Sequence, residues 1–197
     1  MPYTKWLTLL LLLTSARLPA QSDPDSTSAR TQFLLYRNLY AAADSVIKTK
    51  RAGVLDSSVY GLAMSLDGVH PEAYYEKAAE LLKNAKWNDA GFLLYLGYAR
   101  YRYYNSVNKD YQPSGDGALL ASLQATLGKP VNMYLKTYAD NFIALLRKSA
   151  DWYAQHDYIF CSGSKDSVKY KAQSDRLYKI AADIEKNKEK YQAEWDD

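Results

Sequence analysis

The residues of this 197-residue chain that could carry chemistry are few and scattered. It has one cysteine, Cys161, and two histidines, His70 and His156. A metal site needs several ligands at suitable spacing, and this inventory does not offer them, so neither a metal nor a cofactor is expected. Cys161 follows His156 and Asp157, the residue types of a cysteine nucleophile with its base. No family signature surrounds them, and a lone cysteine is more often an inert, packed group. Ser162-Gly163-Ser164 lacks the frame of a nucleophile elbow. Asn108 to Pro113 superficially suggests a calcium loop, yet Pro113 stands where an EF-hand needs its turn glycine. Gly-rich phosphate loops are missing. Any two of the 22 acidic side chains could converge as a hydrolytic pair, but no pair stands out. His70, beside Pro71, suits a cap or a surface position. No catalytic residue is assigned.

One stretch concentrates the remaining chemistry. Trp87 to Asn105 reads WNDAGFLLYLGYARYRYYN, a helix without an evident polar face. At about 100° per residue, Ala90, Leu93, Leu94, Gly97, Tyr101 and Tyr104 fall on one side, and Phe92, Leu96, Ala99 and Tyr103 nearly opposite. Two apolar faces imply two partners, so the helix at about 87–105 is expected to be buried between others, with Ala90 and Gly97 admitting one neighbour closely. Arg100 and Arg102 lie at the seams, and a buried arginine must be paired. Two readings are open. In one, each stem packs on tyrosine rings while the guanidinium reaches water or a carboxylate such as Glu76, Glu80 or Asp151. In the other, Arg100, Arg102, Tyr103 and Tyr104 line a groove for an acidic group of a partner, a composition common at binding hot spots.

The elements that must position this helix read as amphipathic segments. Residues 28–51 carry Leu35, Leu39, Ala42 and Val46 on one side and end at Gly53, the left-handed stop. A short helix follows at about 57–66, with Asp56 as its cap and Asp67-Gly68 as its exit. Pro71 opens a helix running to about Asn84, and a tight break at Ala85-Lys86 makes it the antiparallel neighbour of the central helix. Gln112 to Gly117 reads as a loop. The next helix is expected to stop at Gly128 before Pro130, and another runs from Val131 to about Tyr153. After a loop at 160–165, the last helix presents a narrow stripe of Tyr170, Leu177, Ala181, Ile184 and Tyr191 on a Lys-rich surface, the pattern of an outer element. No segment alternates with period two, so the fold expected is all-α: a single-domain bundle of about seven antiparallel helices.

Lys5 and Arg17 bracket a leucine-rich run ending in Leu18-Pro19-Ala20, the shape of a secretory signal peptide. Residues 1–20 are read as that signal, cleaved after Ala20 or, alternatively, Ala16. Residues 21–27 form a polar leader, residues 28–197 form the helical domain, and the location expected is periplasmic or extracellular. Without Lys5 and Arg17 the formal charge of +3 falls to +1. A near-neutral chain has no electrostatic reason to seek nucleic acid or an anionic membrane. No stable membrane insertion is expected after cleavage, because the apolar run is far shorter than the roughly 20 residues that span a bilayer. One cysteine allows no intramolecular disulfide, so stability must come from a packed core.

The helix pair Glu72 to Asn84 and Trp87 to Asn105 has Ala78 and Leu81 on its first helix, Leu96-Gly97 in mid-second and Tyr101 beyond. It resembles the helix-turn-helix unit of tetratricopeptide and similar repeat proteins, over about one repeat. The resemblance implies helix-hairpin packing and a scaffold that binds peptides or proteins, and it carries over no site residues. The chain as a whole is similar to small secreted helical proteins of bacteria. The function expected is that of an exported, non-catalytic module binding a protein or peptide partner in the bacterial envelope, as a scaffold or an immunity-type protein. Alternatives from other classes are an envelope hydrolase acting on glycan or peptide through carboxylates, and a structural subunit of an envelope assembly. Oligomeric state is left open.

Overall fold

Local chemistry starts and stops the helices. The computed structural model describes residues 37, 38, 41, 55–164 and 166–196. The expected signal peptide (1–20), the leader (21–27) and most of the first amphipathic helix (28–51) lie outside the described residues. Asp56 accepts the Ser58 N–H at 2.9 Å and turns the chain into α1 (Ser58–Ser65). Pro71, with φ −65°, precedes α2 (Glu72–Lys83), whose Glu72 and Lys83 complement the dipole at its two ends. Ala85 then takes a left-handed φ of 56°. Its N–H donates to Leu82 O and that of Lys86 to Leu81 O, each at 3.0 Å, a Schellman stop with alanine where glycine is usual. The reversal leads into α3 (Trp87–Val107), the expected central helix.

Beyond α3 the boundaries depart from the sequence reading. The stop expected at Gly128 is instead a wide π-helical turn, Gln124–Gly128, while the loop expected at 112–117 holds a turn, Pro113–Gly117, broken by the non-helical backbone of Gly115 (φ −94°, ψ −108°); the two flank α4 (Ala118–Leu123). Pro130 has no N–H to offer and sits in the first turn of α5 (Lys129–Lys136), so the wider turn before it absorbs the missing bond and the helical path continues. The helix expected over 131–153 is instead two, α5 and α6 (Ala139–Gln155), parted at Tyr138, whose backbone is extended (φ −138°, ψ 100°). A distant side chain holds that break: Gln192 accepts the Ala139 N–H at 3.2 Å and donates to Thr137 O at 3.5 Å. Gln192 belongs to α8 (Lys188–Asp196), which follows α7 (Ser167–Lys186) across Asn187. A 3-10 segment, Ile159–Ser164, joins α6 to α7.

The described helices pack against one another in a single, all-helical domain around α3. On one side α2 presses against Gly97, where an added Cβ would lie 2.5 Å from Tyr74 Cβ. On the other, Gly91 faces Leu145, Leu135 and Val131 of α5 and α6, and Ser149 lies buried over the Phe92 carbonyl. Asn88 and Asn141 exchange amide hydrogen bonds of 2.9 and 3.2 Å between α3 and α6. The stripe that α7 buries is Ser174, Leu177, Ala181 and Ile184, as narrow as its sequence implies. Among the described residues no helix is long and apolar enough to cross a membrane.

Tyrosine supplies much of this core, and that has a consequence at high pH. Burial raises the hydroxyl pKa values of Tyr74, Tyr75, Tyr95, Tyr153 and Tyr158, and pushes Tyr170 up to about 12. A group whose folded value exceeds its unfolded value, near 10 for tyrosine, contributes stability that is complete below the unfolded value. That contribution is lost as pH rises through the folded value. In an alkaline titration the exposed tyrosines should ionise first with helicity intact. The buried set should then ionise in one step together with the loss of helical circular dichroism. Smooth ionisation of every tyrosine with native helicity retained would show that these rings are not enclosed.

Candidate functional site

The two arginines of α3 diverge because they are two residues apart on a helix and cannot share a face. Arg100 points inward and is fully enclosed (0% exposed). Its guanidinium meets Asp67 Oδ1 at 3.1 Å, donates to His156 O at 2.7 Å and to the Tyr170 hydroxyl, and lies over the rings of Tyr153 and Tyr158 at 4.7 and 5.0 Å. Asp67 is itself buried and also accepts the Tyr74 hydroxyl at 2.6 Å. Burial raises the Asp67 carboxyl above its ordinary value, against the pull of Arg100 and the Tyr74 O–H. Arginine keeps its charge at any ordinary pH, so the Arg100 guanidinium is a fixed counter-charge that opposes the burial penalty on the Asp67 carboxylate. The partner of Arg100 is therefore Asp67, where Glu76, Glu80 and Asp151 had been the sequence candidates. Arg102 is half-buried on another side, donating to Gln173 of α7 at 3.3 Å with Tyr98 alongside.

The tyrosines of the expected groove also separate. Tyr103 is buried edge-on to Tyr170, and its hydroxyl accepts the Asp166 N–H at 3.2 Å. Tyr104 turns towards the Pro113–Gly117 turn. Of the four sequence candidates, the half-buried Tyr104 borders the surface cluster described next, and no single groove holds Arg100, Arg102, Tyr103 and Tyr104 together.

That cluster is built where α3 ends. Asp116 accepts the hydroxyls of Tyr101 and Tyr104, each at 3.4 Å, and faces His70 Nε2 at 3.7 Å. Asn108 donates to the Tyr104 hydroxyl at 3.0 Å. His70 Nδ1 accepts the Glu72 N–H at 3.4 Å, which assigns the ring proton to Nε2, towards Asp116. Both ring nitrogens are thus engaged, and the imidazole sits over the start of α2, accepting an N–H of its first turn. The edges and faces of Tyr101, Tyr104 and Phe160 fence the ring at 5.0–5.8 Å.

Around this fence stand large apolar side chains open to solvent: Val69 (42% exposed), Ile159 (62%), Phe160 (43%) and Tyr111 (39%). They come from three separate connections, yet the backbone beneath them is pinned. Phe160 N–H donates to Asp67 O at 2.9 Å, and the Tyr158 hydroxyl to Val69 O at 2.7 Å. The buried Arg100–Asp67 pair lies directly below, so the charge network braces the surface without reaching it. Sequence reasoning missed Asp67, read as a helix exit, and Asp116, read as a loop residue. The only available signal was the aromatic crowding of the α3 end, which needs donors' partners close by.

Cys161 is buried beside this region, and burial pushes its thiol up to about 11, so it holds little thiolate at neutral pH. His156 stacks on Trp152 at 3.8 Å, and its Nδ1 faces Trp152 O at 3.0 Å. The pairing that a cysteine nucleophile needs is not set up by this geometry. Among the described residues no group of three or more His, Cys, Asp or Glu is placed to hold a metal ion. No family model, curated protein or solved structure matches the chain.

Proposed function

We propose that the chain is an exported binding module whose protein or peptide partner docks on the bundle end around His70. The observation that carries this reading is the gathering of Val69, Ile159, Phe160 and Tyr111, all substantially exposed, over an aromatic and hydrogen-bonded floor. Large apolar groups on pinned backbone are costly to leave in water and lose little entropy on docking. Tyr104, Tyr111 and His70 supply the mixed apolar and polar contacts typical of such surfaces. A scaffold or immunity-type role in the envelope accommodates this surface, and export rests on the amino-terminal pattern. The hydrolase alternative draws no comparable support, because the carboxyl groups raised by burial are both engaged: Asp67 by Arg100 and Tyr74, Asp89 by the Asp56 N–H at 2.8 Å.

The test uses the mature protein as bait in a periplasmic extract, beside the variant Ile159→Asp/Phe160→Asp. Both side chains lie outside the α-helices, so helicity should be preserved, and a thermal melt checks that the variant is folded. A specific partner retained by the native chain should bind the variant at least about tenfold more weakly, the scale of losing a hot spot. Equal retention by the folded variant would remove this surface from the reading.

A further inference from the structure

The central helix is not enclosed on every side. Between Trp87 and Tyr103, the residues of α3 that escape full burial are Tyr95, Tyr98 and Arg102. Their spacing of three and four residues stacks them in one strip along the helix. It runs from α5, where the Tyr95 hydroxyl donates to Asn132 Oδ1 at 2.6 Å, to α7, where Arg102 donates to Gln173 at 3.3 Å. We propose that this strip docks an acidic peptide segment of a partner, with a side-chain carboxylate seated on Arg102. The inference uses none of the residues around His70, and it stands or falls apart from that surface.

Donors outnumber acceptors on this strip. A guanidinium carries five N–H groups and no acceptor. Arg102 gives its Nε–H to Gln173 Oε1 at 3.3 Å and one Nη1 hydrogen to the Tyr98 hydroxyl at 3.5 Å, and among the described residues nothing accepts the others. The Tyr98 O–H finds no acceptor among them either. Nor is the charge matched. Arg100 and Arg147 pair with Asp67 and Glu185 at 3.1 and 2.6 Å, but Arg102 meets no carboxylate among the described residues. The same holds for Arg176, exposed three residues beyond Gln173 on α7. Lys169 is already paired with Asp166 at 3.6 Å and adds no open charge. Residues 117–139, which include α4 and α5, contain no acidic side chain.

The arginine is also held in place before any ligand arrives. Gln173, which accepts its Nε–H, is fixed in turn by donating Nε2–H to Lys169 O at 3.1 Å, and the guanidinium lies 5.6 Å from the centre of the Tyr98 ring. A side chain ordered in this way loses little rotamer freedom on binding. Its open Nη1–Nη2 edge matches the two oxygens of a carboxylate, and the tyrosines beside it offer the flat apolar contact common at binding hot spots. Nucleic acid is the poorer match, because its affinity rests on a run of cations along the phosphates. Here Arg102 and Arg176 are the open cations, and the rest of the strip is tyrosine.

Fluorescence anisotropy of the full mature chain with a labelled hexaglutamate, its end amidated so that side chains supply every carboxylate, tests the proposal. Labelled hexaglutamine and an oligothymidylate of equal length are the comparisons. Hexaglutamate should bind saturably, less tightly as salt is added, and the other two about tenfold more weakly or worse. Arg102→Gln should weaken hexaglutamate about tenfold and leave hexaglutamine unchanged. Arg176→Gln, at an exposed position outside the core, should weaken it several-fold. Arg147→Gln removes a cation already paired with Glu185 and should leave the affinity within about twofold of the native chain. The proposal is overturned by absence of saturable hexaglutamate binding, or by hexaglutamine or the oligonucleotide binding as tightly. It is overturned equally by an Arg147→Gln loss that matches that of Arg102→Gln, the mark of unspecific charge attraction. If Arg102→Gln does not fold, Arg176→Gln set against Arg147→Gln decides the matter.

Discussion

Replacing Arg100 with methionine is expected to lower the unfolding free energy by about 3–5 kcal/mol, because it leaves the Asp67 carboxylate buried without its counter-charge. The stem of methionine roughly fills the space, so the loss reports the charge rather than a void. Asp67→Asn should cost a comparable amount for the reciprocal reason, since Arg100 has no route to water. With both replaced, the loss should fall short of the sum of the single losses by about 1–3 kcal/mol, the coupling measured between residues of one network. Urea unfolding monitored by circular dichroism gives all three values. The losses should persist at high salt, because ions do not screen a pair from which water is excluded. An Arg100→Met chain within about 1 kcal/mol of the native one would contradict the enclosure described above and favour a surface role.

Gly97→Ala is the second large effect, and its sign runs against helix propensity. In an exposed helix the change stabilises by about 1 kcal/mol. Here the new methyl would lie 2.5 Å from Tyr74 Cβ and 3.3 Å from its Cγ. Neither atom is the free end of a flexible side chain, so α2 and α3 must separate, and a loss of about 2–3 kcal/mol is expected from overpacking. Gly91→Ala is the internal control. Its nearest atoms, Leu145 Cδ1 at 3.1 Å and Leu135 Cδ1 at 3.4 Å, are side-chain tips that can rotate away, so its effect should stay within about 1 kcal/mol of zero. Adding Tyr74→Ala should not rescue Gly97→Ala, since alanine retains the offending Cβ. Thermal melts of the three variants settle the order, and equal melting of the Gly97 and Gly91 variants would show that α2 does not approach α3 so closely.

Both effects trace to α3, whose two-sided burial was legible in the sequence. The apolar residues of 87–105 repeat on opposite faces, which no surface helix can satisfy, and small residues mark the sides where neighbours come near. Its arginines show where that legibility ended. Their need for partners followed from burial, but the partner of Arg100 is 33 residues away in a turn. Asp151 and Glu80, which the sequence made plausible, are engaged elsewhere, by Tyr178 and Lys77. Likewise nothing near Tyr138 announces a helix break, because the groups that satisfy it belong to Gln192, more than 50 residues on.

By itself the sequence determined the helical class, the antiparallel pairing of α2 with α3 and the burial of the central helix. Each follows from periodicity, caps and turns, which are properties of neighbouring residues and survive whatever the rest of the chain does. Tertiary structure alone decided which carboxylate neutralises Arg100, which tyrosines close over it, and which apolar side chains of three connections meet around His70. Acidic residues look alike along a chain and differ only in how deeply, and beside what, the packed bundle places them.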